Sequence, residues 1–170
     1  MDHRRSILAA IIAFGCVACD QGTKQLAVAK LRGQPPVEYL DRTVRFLYAE
    51  NPGAWGSLGA TWPKPVKLGV FIVLPLVVLA GAGWTVLRRP SSLRELVATA
   101  LFVGGGIGNL IDRVAQGYVV DFMWLGRGVL ATNVFNVADL AVVAGALMFL
   151  WGWRKKKEAD NADRLPRAPG

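Results

Sequence analysis

Four aspartates carry the chemical interest of this sequence: Asp20, Asp112, Asp121 and Asp139. Two amides accompany them, Asn109 three residues before Asp112 and Asn136 three residues before Asp139, a spacing that puts each pair on one helical face. Lys24 stands four residues after Asp20, the spacing of an intrahelical ion pair. Other chemistry is short of parts. His3 is the only histidine, which leaves Ser-His-Asp machinery and His-rich metal sites with almost nothing to build on. Cys16 and Cys19 lie within an apolar stretch and read as small packing residues, not as a disulfide or redox pair. Carboxylates without histidine can act in three ways. Two that share a proton can activate water, one as base and one as acid, because proximity forces their apparent pKa values apart. A set of them can instead relay protons in a transporter, or hold a divalent cation. Spacing alone leaves the three open.

The elements that must position these groups follow from composition. Of 170 residues, 53% are hydrophobic and 19% charged, with a net charge of +8 and a mean hydropathy of +0.35. That length suits one domain. The hydropathy is too high for an evenly mixed soluble chain, and the charge too large for a uniformly apolar one. The apolar residues must therefore be gathered into long stretches with basic connectors. Four stretches answer to this: Ile7–Leu31, Leu68–Leu87, Leu96–Ile111 and Val134–Trp153. Roughly 20 apolar residues cross a hydrocarbon core, and the second stretch meets that rule without help. Ser92 and Glu95 have the spacing of a capping box that opens the third. The expected fold is an all-α polytopic membrane protein with four transmembrane helices at about 7–31, 68–87, 93–111 and 134–153. Residues 1–153 form its single domain.

Charge sets the expected direction. His3, Arg4 and Arg5 precede the first span, Arg88, Arg89 and Arg94 lie between the second and third, and Arg154–Lys157 follow the fourth. These are cytoplasmic positions in a chain with both termini inside. Arg32, Arg42, Arg45, Lys64 and Lys67 fall on the outer side and dilute the bias without reversing it. The net charge then reports orientation and gives no case for nucleic-acid binding. Residues 154–170 read as a basic cytoplasmic tail, disordered over its polar, proline-containing end. The first twenty residues imitate a cleavable signal peptide, but three further apolar stretches favour an uncleaved helix.

Depth can be estimated from these anchors. Asp20 lies fifteen residues after Arg5, and Asp139 fifteen before Arg154. Each is therefore roughly 22 Å from the cytoplasmic boundary of a ~30 Å core. Asp112, eighteen residues beyond Arg94, sits near the outer edge by the same rule. Three carboxylates on three helices collect at one outer level. Gly104, Gly105, Gly106 and Gly108 give the third span a surface for close helix approach. In the outer connectors, residues 37–48 and Val119–Phe122 are β-prone and predict a small extracytoplasmic sheet. Trp55, Trp62 and Trp124 stand where interfacial anchors would. No internal repeat is evident.

Five runs in this chain resemble, in order, the sequence blocks of bacterial lipoprotein signal peptidase (signal peptidase II): DQGTK (Asp20–Lys24), NPGAWG (Asn51–Gly56), GGGIGNLIDR (Gly104–Arg113), VVDF (Val119–Phe122) and FNVAD (Phe135–Asp139). The second run departs slightly, at Pro52, Trp55 and Ser57. The resemblance implies an aspartic endopeptidase of the bacterial inner membrane, with its site near the periplasmic face. It cuts diacylglyceryl-modified prolipoproteins before the lipidated cysteine. Carried over by motif, Asp121 and Asp139 are the catalytic pair. Asp20, Lys24, Asn51, Gly53, Gly108, Asn109, Asp112, Arg113, Asn136 and Ala138 are the supporting shell. The resemblance implies no metal or organic cofactor, and partners limited to prolipoprotein substrate and membrane lipid, with the chain a monomer. A small proton-coupled four-helix transporter is the alternative that the residues themselves allow.

Overall fold

A computed structural model of the chain describes residues 3–88, 92–127 and 130–163. Among the described residues, five α-helices and four strands succeed one another. Helix α1 is His3–Leu31, strand β1 Val37–Tyr39, strand β2 Val44–Asn51, helix α2 Lys64–Leu68 and helix α3 Leu74–Arg88. Helix α4 is Leu93–Gln116, β3 Val119–Arg127, β4 Leu130–Ala131 and α5 Val137–Asp163. Arg89 and residues 164–170, which the sequence assigns to an inner basic cluster and to the tail, lie outside the described residues.

Among the described residues, three helical stretches are long and apolar enough to cross a membrane: His3–Leu31, Lys64–Arg88 and Leu93–Gln116. The apolar part of α5, Val137–Gly152, is shorter. Each helix overruns its apolar core, because the flanking polar residues are good helix formers and the caps lie beyond them. α4 shows this at both ends. The Ser92 side chain accepts from the Glu95 backbone N–H, and Glu95 accepts from the Ser92 N–H, closing the expected capping box. At the other end Gly117 stops the helix with φ of 82°, a left-handed turn that glycine adopts without steric cost. α5 continues to Asp163, past the expected end of the span at Trp153, so residues 154–163 are helical in place of the expected disordered tail: Lys, Glu and Ala there are good helix formers.

α2 and α3 form one rod joined by a single π-turn, Gly69–Val73, in which the Leu74 N–H bonds to the Gly69 carbonyl. Pro75 explains it. A proline has no N–H to donate and its ring crowds the preceding turn, so the ladder widens just before it.

α4 is the central helix and packs against α1, α3 and α5. Its three consecutive glycines point about 100° apart and each admits a different neighbour. A Cβ on Gly104 would lie 2.8 Å from the Ala13 carbonyl of α1. One on Gly105 would strike the Ala138 carbonyl of α5, and one on Gly106 would lie 2.5 Å from Leu79 of α3. Gly145 returns the favour from α5, opposite Ala98. Cys16 packs on Gly104 and Cys19 is exposed; both are free thiols.

The four strands form one antiparallel sheet in the order β1-β2-β3-β4. It differs from the expectation in extent. Residues 37–48 are not one strand but a hairpin, turned at Leu40, Asp41 and Arg42 with φ of 51°, 51° and 67°. The second β-prone run extends beyond Phe122 to Arg127. The turn at Leu40–Arg42 carries no Gly or Asn-Gly signature, the usual mark of such a turn in sequence.

Candidate active site

Two elements meet where Asp121 and Asp139 lie. Asp121 is on β3, opposite Ala49 of β2. Asn51, two residues along β2 and on the same face, reaches it diagonally and donates to Asp121 Oδ2 at 3.0 Å. The start of α5 is tied to the same strand, because Phe135 exchanges backbone hydrogen bonds with Met123. That fixes Asn136 as the cap of α5. Its side-chain oxygen accepts from the Asp139 N–H at 3.0 Å, and Asp139 Oδ2 accepts from the Asn136 N–H at 3.1 Å. The arrangement is a capping box closed by aspartate, and it holds the Asp139 carboxylate in one place.

Asn136 is fully buried, and its amide nitrogen donates to Asp121 Oδ1 at 2.6 Å. One residue thus holds both aspartates, one through its amide and the other through its backbone. The second oxygen of Asp139 accepts from Asn109 Nδ2 of α4 at 2.8 Å. Asn109 can present its nitrogen there because its oxygen is engaged on the other side, by Lys24 Nζ at 2.9 Å and Asn136 Nδ2 at 3.1 Å.

Lys24 belongs to a second cluster, packed between α1 and α4. Its ammonium bridges Asp20 at 2.8 Å and Asp112 at 3.0 Å, all three side chains being at least 95% buried. The remaining carboxylate oxygens are also used. Asp20 Oδ1 accepts from the Ala138 N–H at the start of α5, Asp112 Oδ1 accepts from Gln21, and the Val120 N–H of β3 joins Lys24 on Asp112 Oδ2. Gln21 also donates to the Gly108 carbonyl. The missing side chain of Gly108 lets Asp20 sit there, since a Cβ would lie 2.5 Å from its Oδ2. This cluster joins α1, α4, β3 and α5 at one level, where depth arithmetic places Asp20, Asp112 and Asp139.

A third group closes the far side. Arg113 donates to the Gly53 carbonyl at 3.0 Å, and the Gly53 N–H donates to Asn51 Oδ1 at 3.2 Å. The same guanidinium lies 5.8 Å over the Phe71 ring, which stacks on Trp62 at 5.7 Å. The π-turn before Pro75 is what aims Phe71 there.

Asp121 and Asp139 line a cavity of about 390 Å³ together with Asn51, Asn109 and Arg113. Its other wall is Leu140, Val142 and Val143 of α5, of which Leu140 and Val143 are more than half exposed. The cavity therefore brings polar groups and an outward-facing apolar surface to one place. Burial pushes the Asp121 carboxyl up to about 6; the Asp139 carboxylate adds to the rise, against the hydrogen bonds from Asn51 and Asn136 and the charge of Lys24. A carboxyl that titrates this near neutrality beside a second acid suits acid–base work on water.

Residues 12–154 match the family model for signal peptidase (SPase) II, a peptidase family. The chain belongs to the signal peptidase II family. Lipoprotein signal peptidases of Streptomyces griseus (32% identical, covering 86% of this chain and 74% of that protein), Geobacillus thermodenitrificans (33%; 85% and 88%) and Pelodictyon phaeoclathratiforme (36%; 79% and 82%) are among its relatives. Two bacterial membrane enzymes solved by the in meso method share its fold. One, at 2.3 Å resolution, has a TM-score of 0.77 at 23% identity over 96% of this chain and 94% of that one. The other, at 1.9 Å, has a TM-score of 0.73 at 24% identity, over 86% and 92%.

All the residues that the motifs single out in this family member converge on one end of the helices. Asp121, Asp139, Asn51, Asn109, Asn136 and Arg113 surround or abut the cavity, whereas Asp20, Lys24 and Asp112 sit behind Asn109, away from it. Gly53, Gly108 and Ala138 contribute backbone and space. Sequence reasoning missed Gln21 and Phe71. Gln21 is one residue from Asp20 and hence off its face by helical geometry; only its place inside the first motif hinted at it. Phe71 lay within an apolar run, with Pro75 the sole sign of a distortion nearby.

Proposed function

We propose that this chain is an aspartic endopeptidase of the bacterial inner membrane that removes the signal peptide from diacylglyceryl-modified prolipoproteins, cutting just before the lipidated cysteine. Asp121 and Asp139 form the catalytic pair. One ionised carboxylate takes a proton from water as it attacks the scissile carbonyl, and the protonated partner supplies a proton to the departing amine. Asn51, Asn109 and Asn136 hold the pair by neutral hydrogen bonds, and neither acid is in an ion pair among the described residues. Arg113 and the Gly53 segment bind substrate backbone. Asp20, Lys24 and Asp112 brace the site from behind. The protein has four spans with both termini inside, α5 being the fourth, and the catalytic pair stands near the outer leaflet. Residues 1–153 act as one domain, the basic tail lies outside it, and the enzyme works as a monomer without a cofactor.

The observation that carries this reading is the cavity that joins two aspartates to an exposed apolar wall. A lipid-bearing peptide can approach along Leu140 and Val143 from the bilayer while water reaches the acids from the sheet side. The test is incubation of the purified protein with a diacylglyceryl-modified prolipoprotein and, separately, with its unmodified form, followed by mass spectrometry. Cleavage of the modified form alone, immediately before the cysteine, is expected. Equal cleavage of both, or none, would overturn the reading.

A further inference from the structure

A second cavity, of about 620 Å³, opens beside the first, between the outer end of the α2–α3 rod and the Pro52 segment. Lys64 and Lys67 stand at its rim, Leu68, Phe71 and Ile72 form its apolar wall, and Arg113 closes its inner side. The two lysines are anomalous. Arg32, Arg42 and Arg45, in the same connector, pair with Glu50 or Glu38. Lys64 and Lys67 have no ion-pair partner among the described residues, although Lys67 is half-buried. They also lie at the end of the rod where the charge bias of membrane proteins disfavours cations.

Their level explains what would neutralise them. The Lys64–Arg88 rod has 25 residues. At 1.5 Å per residue it spans about 37 Å, more than the ~30 Å hydrocarbon core, so its first turn stands in the headgroup layer. Trp62, partly exposed just before it, is a side chain suited to that layer. One turn further on, Leu68 is 54% exposed at the depth of acyl chains, with Ile72 a turn below it. Paired cations above and an apolar wall beneath match one kind of molecule, an amphiphile with a negative head.

We propose that this cavity binds an anionic phospholipid of the outer leaflet, with its phosphate on Lys64 and Lys67 and an acyl chain along Leu68 and Ile72. The site is separate from the catalytic cavity but shares Arg113 with it, so a bound lipid bears on the Arg113–Gly53 contact. The proposal rests on the proposed orientation of the spans, but substrate cleavage is not needed for binding, so it stands or falls apart from the peptidase activity.

Native mass spectrometry of the full chain in detergent, titrated with phosphatidylglycerol, phosphatidylcholine or glycerol 3-phosphate, tests it. The wild type should retain one phosphatidylglycerol more than a Lys64→Gln/Lys67→Gln variant, in which the basic cluster of the opposite end is untouched. Two headgroup-level lysines together favour an anionic over a zwitterionic lipid by about thirtyfold. The exposed Lys64→Gln substitution alone should remove part of that preference, and Ile72→Trp, which fills the wall and keeps both charges, should weaken retention of that lipid. Glycerol 3-phosphate, lacking chains, should not compete. Unchanged preference in the lysine variants, unchanged retention in Ile72→Trp, or equal binding of glycerol 3-phosphate would each overturn the proposal.

Discussion

Two pairs of aspartates face each other across Asn109, and they live in opposite circumstances. Behind it, Asp20 and Asp112 share the Lys24 ammonium and take up backbone N–H groups from α5 and β3. In front, Asp121 and Asp139 are held by the amides of Asn51, Asn109 and Asn136 and by the Asn136 backbone, and line a cavity. The residue type is the same on both sides. What differs is the donor: behind Asn109 the carboxylates pair with a cation, and in front of it they accept from neutral amides. Asn109 keeps the two apart. Its oxygen faces the cation and its nitrogen faces the acid, so the charge of Lys24 is met by an amide dipole before it reaches Asp139.

That contrast can be broken most sharply at the front pair. Asp121→Asn and Asp139→Asn should each lower cleavage of a lipidated prolipoprotein by at least about a thousandfold, since on the proposed reading each removes a proton-transfer group. Neither should unfold the protein. For Asp121→Asn the melting temperature should be equal or higher above pH 6. The folded-state carboxyl, at about 6, lies above the ordinary 3.8. Its favourable share of stability is therefore present below pH 3.8 and lost as pH rises through about 6. The neutral amide escapes that loss. A fall in melting temperature at pH 7.5 as large as that of a back-pair mutant would erase the distinction.

At the back pair the expected readout is stability. Lys24→Met leaves two buried carboxylates without their cation and should cost about 3–5 kcal/mol, measured by thermal unfolding in detergent. Replacing Asp20, Lys24 and Asp112 together by Asn, Met and Asn should recover much of it, because a buried charge is costly chiefly when orphaned. A Lys24→Met protein that melts like the wild type but cleaves nothing would move Lys24 to the front pair.

The pH profile sharpens the contrast further. In kcat/KM, which reports the free enzyme, the alkaline limb should begin near pH 6, where Asp121 loses its proton. In kcat it should lie higher, since substrate expels water and favours the neutral acid. A kcat/KM that rises steadily from pH 5 to 8 would contradict this. The smallest effect is expected away from both pairs. Arg32→Ala breaks an exposed ion pair with Glu50 and should change stability by less than about 0.5 kcal/mol, with no change in cleavage.

Much of this arrangement was legible before any coordinates. The apolar runs marked the helices, Ser92 and Glu95 marked the start of α4, and counting residues from the basic ends put Asp20, Asp112 and Asp139 at one level. Counting gives depth but not azimuth, so it could not say that Lys24 would join Asp20 to Asp112 while Asp139 turned to Asn109. That division depends on how α1, α4 and α5 rotate against one another. The hairpin at Leu40–Arg42 was hidden for another reason. Its residues are ordinary ones forced to positive φ by the strands they join, and a local signal for it is absent.

The glycine triplet of α4 has a consequence for how this protein can change length. Gly104, Gly105 and Gly106 each serve a different neighbour, so their order is a compass fixed to the bundle. Inserting or deleting one residue just ahead of them would rotate every bearing by about 100° relative to the preceding turns. An insertion would then turn a side chain onto α1 and Ile107 onto Asp20, and a deletion would turn Ile107 onto α3 and Asn109 onto Asp20, where each now meets a gap. Substitutions can drift around such a core, but insertions and deletions within α4 should be purged, and length variation confined to the connectors.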